Sequence, residues 1–405
     1  MSELTAATSD DVRRLNLSRT LRHVHLSGRA SRSELVSVTG LNRSTVAVLV
    51  NELTAAGLIA EVQGPGGSVG RPSLVVAPVS TSAVVTVFDL RVERTVAAAI
   101  GLGGVVLKRL ERAHRRSRLT PQSAAQELAD LSEALFDDVP NGSAWVGLGI
   151  SVPGIADSAQ GLVRRAPNLG WVDVAFADLV QEAFVKKFGG CPQVSIGNDA
   201  NLGAIAESAR GVGRELTNVI FLSGDVGIGG GVIVEGKLMT GASGFGGEVG
   251  HMVVSPNGRE CRCGARGCWE TEVGSPAVLR ALGRDPESDD LGAVMAEETW
   301  SDAKLESRLR ELKRWISIGL VNLTNAFNPE VIVLGGHLGT VLERTAFTSD
   351  DLLTGTLSGD DYRPLLATPM LGGDSSLIGA SEVAFAELLN DPLNHVEHSH
   401  RLVAS

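Results

Sequence analysis

The sequence predicts an α/β protein of two similar lobes, preceded by a winged helix-turn-helix. Three observations carry that prediction. A buried β run, Ala83–Phe88 ending at Asp89, is answered downstream by a second run, Val219–Leu222, and each is followed by a turn and a returning strand. Ahead of both, a short helix, a glycine and a second amphipathic helix fit helix-turn-helix spacing. The charge is also uneven: residues 11–72 hold eight Arg and four acids, a net +4, in a 405-residue chain of net charge −11. A basic head on an acidic body points to a polyanion for the head and a different ligand for the rest.

Composition narrows the classes. With 43% hydrophobic and 20% charged residues, the chain is globular, and disordered or fibrous classes are excluded. Aromatics are only 4%, so the core is built from Val, Leu, Ile and Ala. No apolar run approaches the roughly 20 residues that span a bilayer, so no membrane partner is expected. The start, MSELTAATSDD, is polar and acidic, unlike a secretory signal. Three of the four cysteines are crowded together, which is not a disulfide framework, and the expected compartment is the cytoplasm.

In the head, Leu15, Leu17, Leu21, Val24 and Leu26 form a helical stripe. Ser31-Arg32-Ser33-Glu34 reads as a capping box opening a helix that stops at Gly40. Asn42 caps the next helix, whose apolar positions are Val46, Leu49, Leu53 and Leu58. Its exposed start, Asn42, Arg43, Ser44 and Thr45, carries side chains suited to base edges and phosphates, with Ser31 nearby. A glycine-rich stretch ending Gly70-Arg71-Pro72, then Leu74-Val75-Val76, reads as a β-wing with Arg71 at its tip. A three-helix packing module without nucleic acid is the alternative.

In the body, strands are expected at Thr95–Ile100, Val105–Leu110, Ala144–Val152 and Val194–Ile196, with a helix over Pro121–Phe136. After Val219–Leu222, the stretch GDVGIGGG reads as a turn leading to the strand Val232–Val234. A helix over about 302–327 leads to the strand Val331–Leu334 and Gly335-Gly336. The last helix is expected at about 377–389, with His395, His398 and His400 in a frayed tail. Two facing lobes would leave a cleft for a ligand.

The chemistry concentrates after residue 198. His251, Cys261, Cys263 and Cys268 supply one imidazole and three thiolates, a set that suits tetrahedral zinc. Four protein ligands close the shell, so the zinc is structural, and Gly264 and Gly267 let the short loop wrap it. Three reduced cysteines in a loop are the alternative. Cys191 stands apart as a packing residue. Glu248, Glu270 and the segment Asn198-Asp199-Ala200-Asn201 offer carboxylates and amides that suit sugar hydroxyls, although the last could simply cap a helix. A metal-bound His251 keeps a second nitrogen for a ligand.

These motifs resemble the ROK family (repressors, open reading frames, kinases). The matching segments are GISVPGIAD (149–157), APNLGW (166–171), IGNDAN (196–201), GFGGEVGH (244–251), CRCGARGCWE (261–270) and VIVLGGHLG (331–339). The resemblance implies an actin-like, ribonuclease-H-like two-lobed fold. It implies a sugar held by Asn168, Asn198, Asp199, Glu248, His251 and Glu270, and the position of Asp199 is that of the general base in the family's kinases. The head is similar to that of the family's repressors. The chain departs from the kinases at both phosphate turns. Their Asp-x-Gly-Gly-Thr-Lys is Asp89-Leu90-Arg91-Val92-Glu93-Arg94 here, and their Gly-Thr-Gly is Asp225-Val226-Gly227. Lost glycines keep the backbone away from a phosphate, and Glu93 and Asp225 would repel one.

The expected organisation is a winged helix at 11–80, a first lobe at 81–198 completed by a helix at 376–392, and a second lobe at 199–375. The expected function is sugar-responsive transcription regulation, with repression relieved by sugar and no catalysis. The expected partners are operator DNA, a small sugar or sugar phosphate, and one or three further copies of the chain. A sugar kinase that kept a DNA-binding head is the alternative, and a head that docks a protein is a third reading.

Overall fold

The two answering β runs are the central strands of two sheets with matching topology in the computed structural model. The model describes residues 8–64, 74–114, 119–287, 289–297, 303–345, 347–359 and 361–401. Helix α1 (Ser9–Ser27), strand β1 (Ala30–Ser31), helices α2 (Arg32–Thr39) and α3 (Arg43–Ala55), and strands β2 (Ile59–Gln63) and β3 (Leu74–Pro78) form the head. Strands β4 (Ala83–Leu90), β5 (Arg94–Gly101) and β6 (Val105–Ala113), helix α4 (Pro121–Phe136) and strand β7 (Ala144–Val152) follow. Next come β8 (Ile155–Asp157), β9 (Leu162–Ala166), β10 (Trp171–Val174), α5 (Phe176–Phe188) and β11 (Val194–Asn198).

The second half runs through α6 (Asp199–Arg210), β12 (Val219–Gly224), β13 (Ile228–Val234) and β14 (Lys237–Leu238). Helices α7 (Trp269–Val273), α8 (Ser275–Leu282), α9 (Leu291–Glu297) and α10 (Ala303–Phe327) precede β15 (Val331–Gly335). Then come α11 (Gly336–Arg344), α12 (Ser349–Leu352), β16 (Leu365–Ala367) and α13 (Ser375–Ala384), with α14 (Ala386–Asn390), α15 (Pro392–His398) and β17 (His400–Arg401) at the end.

The chain divides into two units, one up to Gly197 and again from Ala380 onward, the other Asn198–Gly379. In the first, the sheet order is β11-β7-β4-β5-β6; in the second it is β14-β13-β12-β15-β16. Each central strand has an antiparallel hairpin partner (β5 or β13) and a parallel neighbour (β7 or β15). The central strands are buried on both faces, which is why they read as unbroken apolar runs. Among the described residues no helix is long and apolar enough to cross a membrane.

In the head, the described residues form the helix-turn-helix. Gly40 takes a left-handed conformation at the end of α2, where only glycine is unstrained, and Asn42 Oδ1 accepts from Thr45 N at 2.8 Å to start α3. Strands β2 and β3 pair antiparallel as the sides of the wing. Arg71 lies outside the described residues. The capping box at α2 is only half made. Ser31 Oγ accepts from Glu34 N, but the Glu34 carboxylate meets His23 Nε2 at 3.0 Å, an imidazole that α1 brings alongside. The head is pinned to the first sheet by His25, which is fully buried. Its Nδ1 accepts from Gly103 N at 2.9 Å, its Nε2 lies 3.3 Å from the Glu382 carboxylate, and its ring meets the edge of Phe385.

Two further expectations are corrected. The glycines of GDVGIGGG do not all form a turn: Ile228–Val234 is strand, and the turn is only Asp225-Val226-Gly227. The tail is not frayed. After a break at Phe385 the last helix continues as α14 and α15, β17 pairs with the start of β7, and His395 Nε2 lies 3.0 Å from Val146 O, so residues up to Arg401 are held against the first sheet.

Helix α6 is held by a buried carboxylate that no local pattern announces. Glu207, fully buried, accepts from the backbone N–H of Val212 (3.0 Å), Met370 (3.2 Å) and Leu371 (3.0 Å) and from Ser375 Oγ (3.1 Å). Glu207→Gln keeps the shape but turns an amide toward those donors, and should cost roughly 2–3 kcal/mol. A lowered midpoint in denaturant unfolding checks this, and an unchanged midpoint would contradict it. Cys191 packs against the first core, and burial pushes its thiol up to about 12. At pH 8 it should therefore resist alkylation until the protein unfolds, as read by peptide mass.

Candidate functional site

The candidate ligand-binding residues gather around β13. Asn198 caps α6, accepting from Asn201 N at 3.0 Å, so the capping alternative for this segment holds for Asn198. Asp199 follows as the first helical residue, and its Oδ1 accepts from Ala200 N (2.8 Å) and Asn198 Nδ2 (3.0 Å). The cap thus fixes the Asp199 rotamer at the positive end of the helix.

The glycines of β13 explain how three segments come close together. A Cβ at Gly231 would overlap the Ala200 backbone, and one at Gly229 would crowd the Ala200 methyl, so α6 lies directly on the strand. A Cβ at Gly230 would overlap Val249, in the turn that carries Glu248 and His251. A Cβ at Gly227 would displace the Glu270 carboxylate. This glycine run serves packing between protein segments.

His251 sits in the short 3-10 turn Val249–His251, and Cys261, Cys263 and Cys268 lie on the loop that follows. One ligand atom from each of the four lies within 4.8 Å of all the others. Cys263 and Cys268 Sγ are 3.6 Å apart, and Cys261 Sγ is 3.7 Å from His251 Nδ1. Tetrahedral zinc, with Zn–S near 2.3 Å and Zn–N near 2.0 Å, places its ligand atoms at about these separations, so the set fits such an ion. Gly267 has a left-handed conformation, and a side chain there would overlap Ser255 O; the loop closes only with glycine at that position. Burial pushes the Cys261 and Cys268 thiols up, whereas the Ala265 backbone N–H holds Cys263 down.

Two carboxylates flank His251. Glu270 Oε1 lies 3.5 Å from Nδ1 and 2.9 Å from Cys261 Sγ, and Glu248 Oε2 lies 3.8 Å from Nε2. Burial raises the Glu248 carboxyl above its ordinary range; His251 opposes that shift and Glu270 adds to it. Glu270 is placed by its neighbour Trp269, which is fully buried against Gly319 of α10 and donates from Nε1 to Trp315 O at 2.8 Å. Burying that indole is worth roughly 4–6 kcal/mol, which makes α7 a firm seat. Sequence reasoning missed Gly319, and a lone glycine in a helix was the available signal.

The second unit thus carries Asn198, Asp199, Glu248, His251 and Glu270, while Asn168 belongs to the first unit, exposed in the turn 167–170. Near the end of β4, Asp89 is buried and accepts from Arg91 Nε at 2.6 Å. In the turn after β12, Asp225 N donates to Gly227 O at 3.1 Å, and Ser275 Oγ donates to Asp225 O. In the head, Asn42, Arg43 and Ser44 are exposed, Thr45 and Ser31 half-buried.

Comparison with known proteins agrees with this architecture. The ROK family profile matches residues 93–387. The xylose repressor of Bacillus spizizenii is 29% identical over 387 residues, covering 94% of this chain and 97% of that protein. The glucokinase of Halalkalibacterium halodurans is 31% identical over 210 residues, 48% of this chain and 62% of that enzyme. Among solved structures, a ROK family transcriptional regulator described as a homolog of the E. coli MLC protein superposes with a TM-score of 0.71 at 22% identity, covering 95% of this chain and 99% of that one; it shares the fold. With the two matched sheets, the cysteine–histidine loop and the profile match over most of its length, the chain belongs to the ROK family.

Proposed function

We propose that this protein is a sugar-responsive transcriptional repressor that uses its winged helix, residues 11–80, to bind operator DNA. The observation that carries the reading is the extent of the likeness. The xylose repressor aligns over 387 residues, more than the family profile spans and so into the basic head, whereas the glucokinase aligns over 210. Xylose is therefore the first candidate effector, with other small sugars and sugar phosphates behind it.

Asp199, Glu248 and Glu270 offer acceptors to sugar hydroxyls, Asn198 adds an amide, and His251 Nε2 donates. His251, Cys261, Cys263 and Cys268 would hold a structural zinc, which supplies a fixed cross-link. The chain's own contribution is to hold the imidazole between two carboxylates. In the head, Arg43 and Arg71 meet phosphates, and Ser31, Asn42, Ser44 and Thr45 line the contact. A dimer or tetramer would present paired heads to a pseudo-palindromic site in the cytoplasm. Sugar releases DNA only by its differential affinity for the two arrangements of the protein.

The chain is read as non-catalytic. The Asp89–Arg91 ion pair fills the first turn, Glu93 follows it, and Asp225 stands in the second, which supports poor accommodation of a triphosphate. The kinase reading draws on the glucokinase likeness and the retained Asp199. A coupled assay for ADP release over a sugar panel separates the two: sugar-dependent turnover lost in Asp199→Asn would establish the kinase.

In a mobility-shift assay on the promoter region of its own gene, the protein should retain DNA specifically and release it with xylose or another sugar of the panel. Retention that no sugar alters would contradict the effector reading. Elemental analysis should find one zinc per chain. Cys261→Ala should lose it and bind sugar roughly tenfold or more weakly while still retaining DNA.

A further inference from the structure

The head's charges and the exposed face of α3 single out two residues beyond those at the helix start. Each of the four acids of residues 11–72 is already engaged: Asp11 with Arg14, Glu34 with His23, Glu52 with Arg13 and Glu61 with Arg32. Arg43, exposed at the open end of α3, makes no ion pair among the described residues. Asn42 Oδ1 takes the Thr45 N–H at 2.8 Å and the Ser44 hydroxyl at 2.7 Å. The Asn42 carbonyl and the Ser44 hydroxyl proton are therefore engaged in starting the helix, and the side chains further along are the ones free to read base edges.

Helix α3 buries Val46, Leu49, Val50 and Leu53. The opposite stripe is Ser44, Val48 and Asn51, spaced i, i+4 and i+7 on one face. Val48 is 55% exposed, and Asn51 is exposed with its amide directed to no partner among the described residues. One apolar side chain between polar ones is a poor match for a protein groove, which takes apolar anchors at every turn. It suits the DNA major groove, where the thymine 5-methyl is the apolar feature and adenine N6 and N7 pair with a bidentate amide. Positions 48 and 51 lie about 4.5 Å apart along the helix axis, close to the roughly 3.4 Å step between base pairs.

We propose that Val48 and Asn51 are specificity-determining residues of the head, Val48 packing on a thymine methyl and Asn51 pairing with an adenine at the adjacent step. Each operator half-site then contains an A·T step read by this pair. The inference rests on the reading of the head as DNA-binding.

The test begins with duplexes selected from a random pool by the full-length protein. Each thymine is then replaced by uracil, which removes only the methyl. One thymine per half-site should matter, with binding weakened several-fold for the wild type and unchanged for Val48→Ala. Asn51→Ala should flatten the preference for adenine at a neighbouring position by on the order of tenfold. Both side chains are exposed, so neither change removes core packing. A selected site whose affinity ignores every uracil replacement, or a Val48→Ala protein that keeps the wild-type sensitivity, overturns the inference and leaves the DNA reading intact. If the wild type enriches no duplex, DNA binding itself fails and the inference with it.

Discussion

The candidate site depends on how closely protein backbone approaches strand β13. Gly229 and Gly231 seat the start of α6, Gly230 seats the turn bearing Glu248 and His251, and Gly227 leaves room for the Glu270 carboxylate. Any side chain at these positions would push one acid away from the others. Glycine in a strand costs conformational entropy and contributes no packing of its own. Here that cost is offset by bringing Ala200 and Val249, both buried, into direct contact with the strand.

The cysteine–histidine loop works on the same arrangement from the other side. Its first ligand, His251, is the residue between Glu248 and Glu270, and its last, Cys268, directly precedes α7, which carries Glu270. An ion held by these four residues would fix both ends of the segment bearing the acids, with Trp269 against Gly319 as the anchor beneath. The Asp89–Arg91 pair in the first unit has a different effect: it satisfies a buried acid internally at the end of β4.

Much of the fold was legible in the sequence because local physics and tertiary structure agree there. The two central strands read as apolar runs because both faces are covered, and Pro121–Phe136 read as a helix with the observed bounds. The cysteine–histidine cluster was legible because soft ligands at such short spacing suit a metal ion and little else. The failures share a cause. The glycine run read as a turn because its neighbours, Ala200 and Val249, come from distant sequence. Glu34 read as half of a capping box because His23 arrives from another helix. Glu207 carried no signal, since the amides it accepts at Met370 and Leu371 lie far along the chain.

A sensor of the proposed kind should bind a carbohydrate and refuse a nucleotide triphosphate. Isothermal titration calorimetry of the zinc-loaded protein, first with sugar and then with magnesium-ATP on the sugar-saturated protein, tests it most directly. A saturable heat with sugar and none with millimolar magnesium-ATP is expected. Saturable binding of magnesium-ATP that is lost when Arg91 and Glu93 are replaced would contradict it.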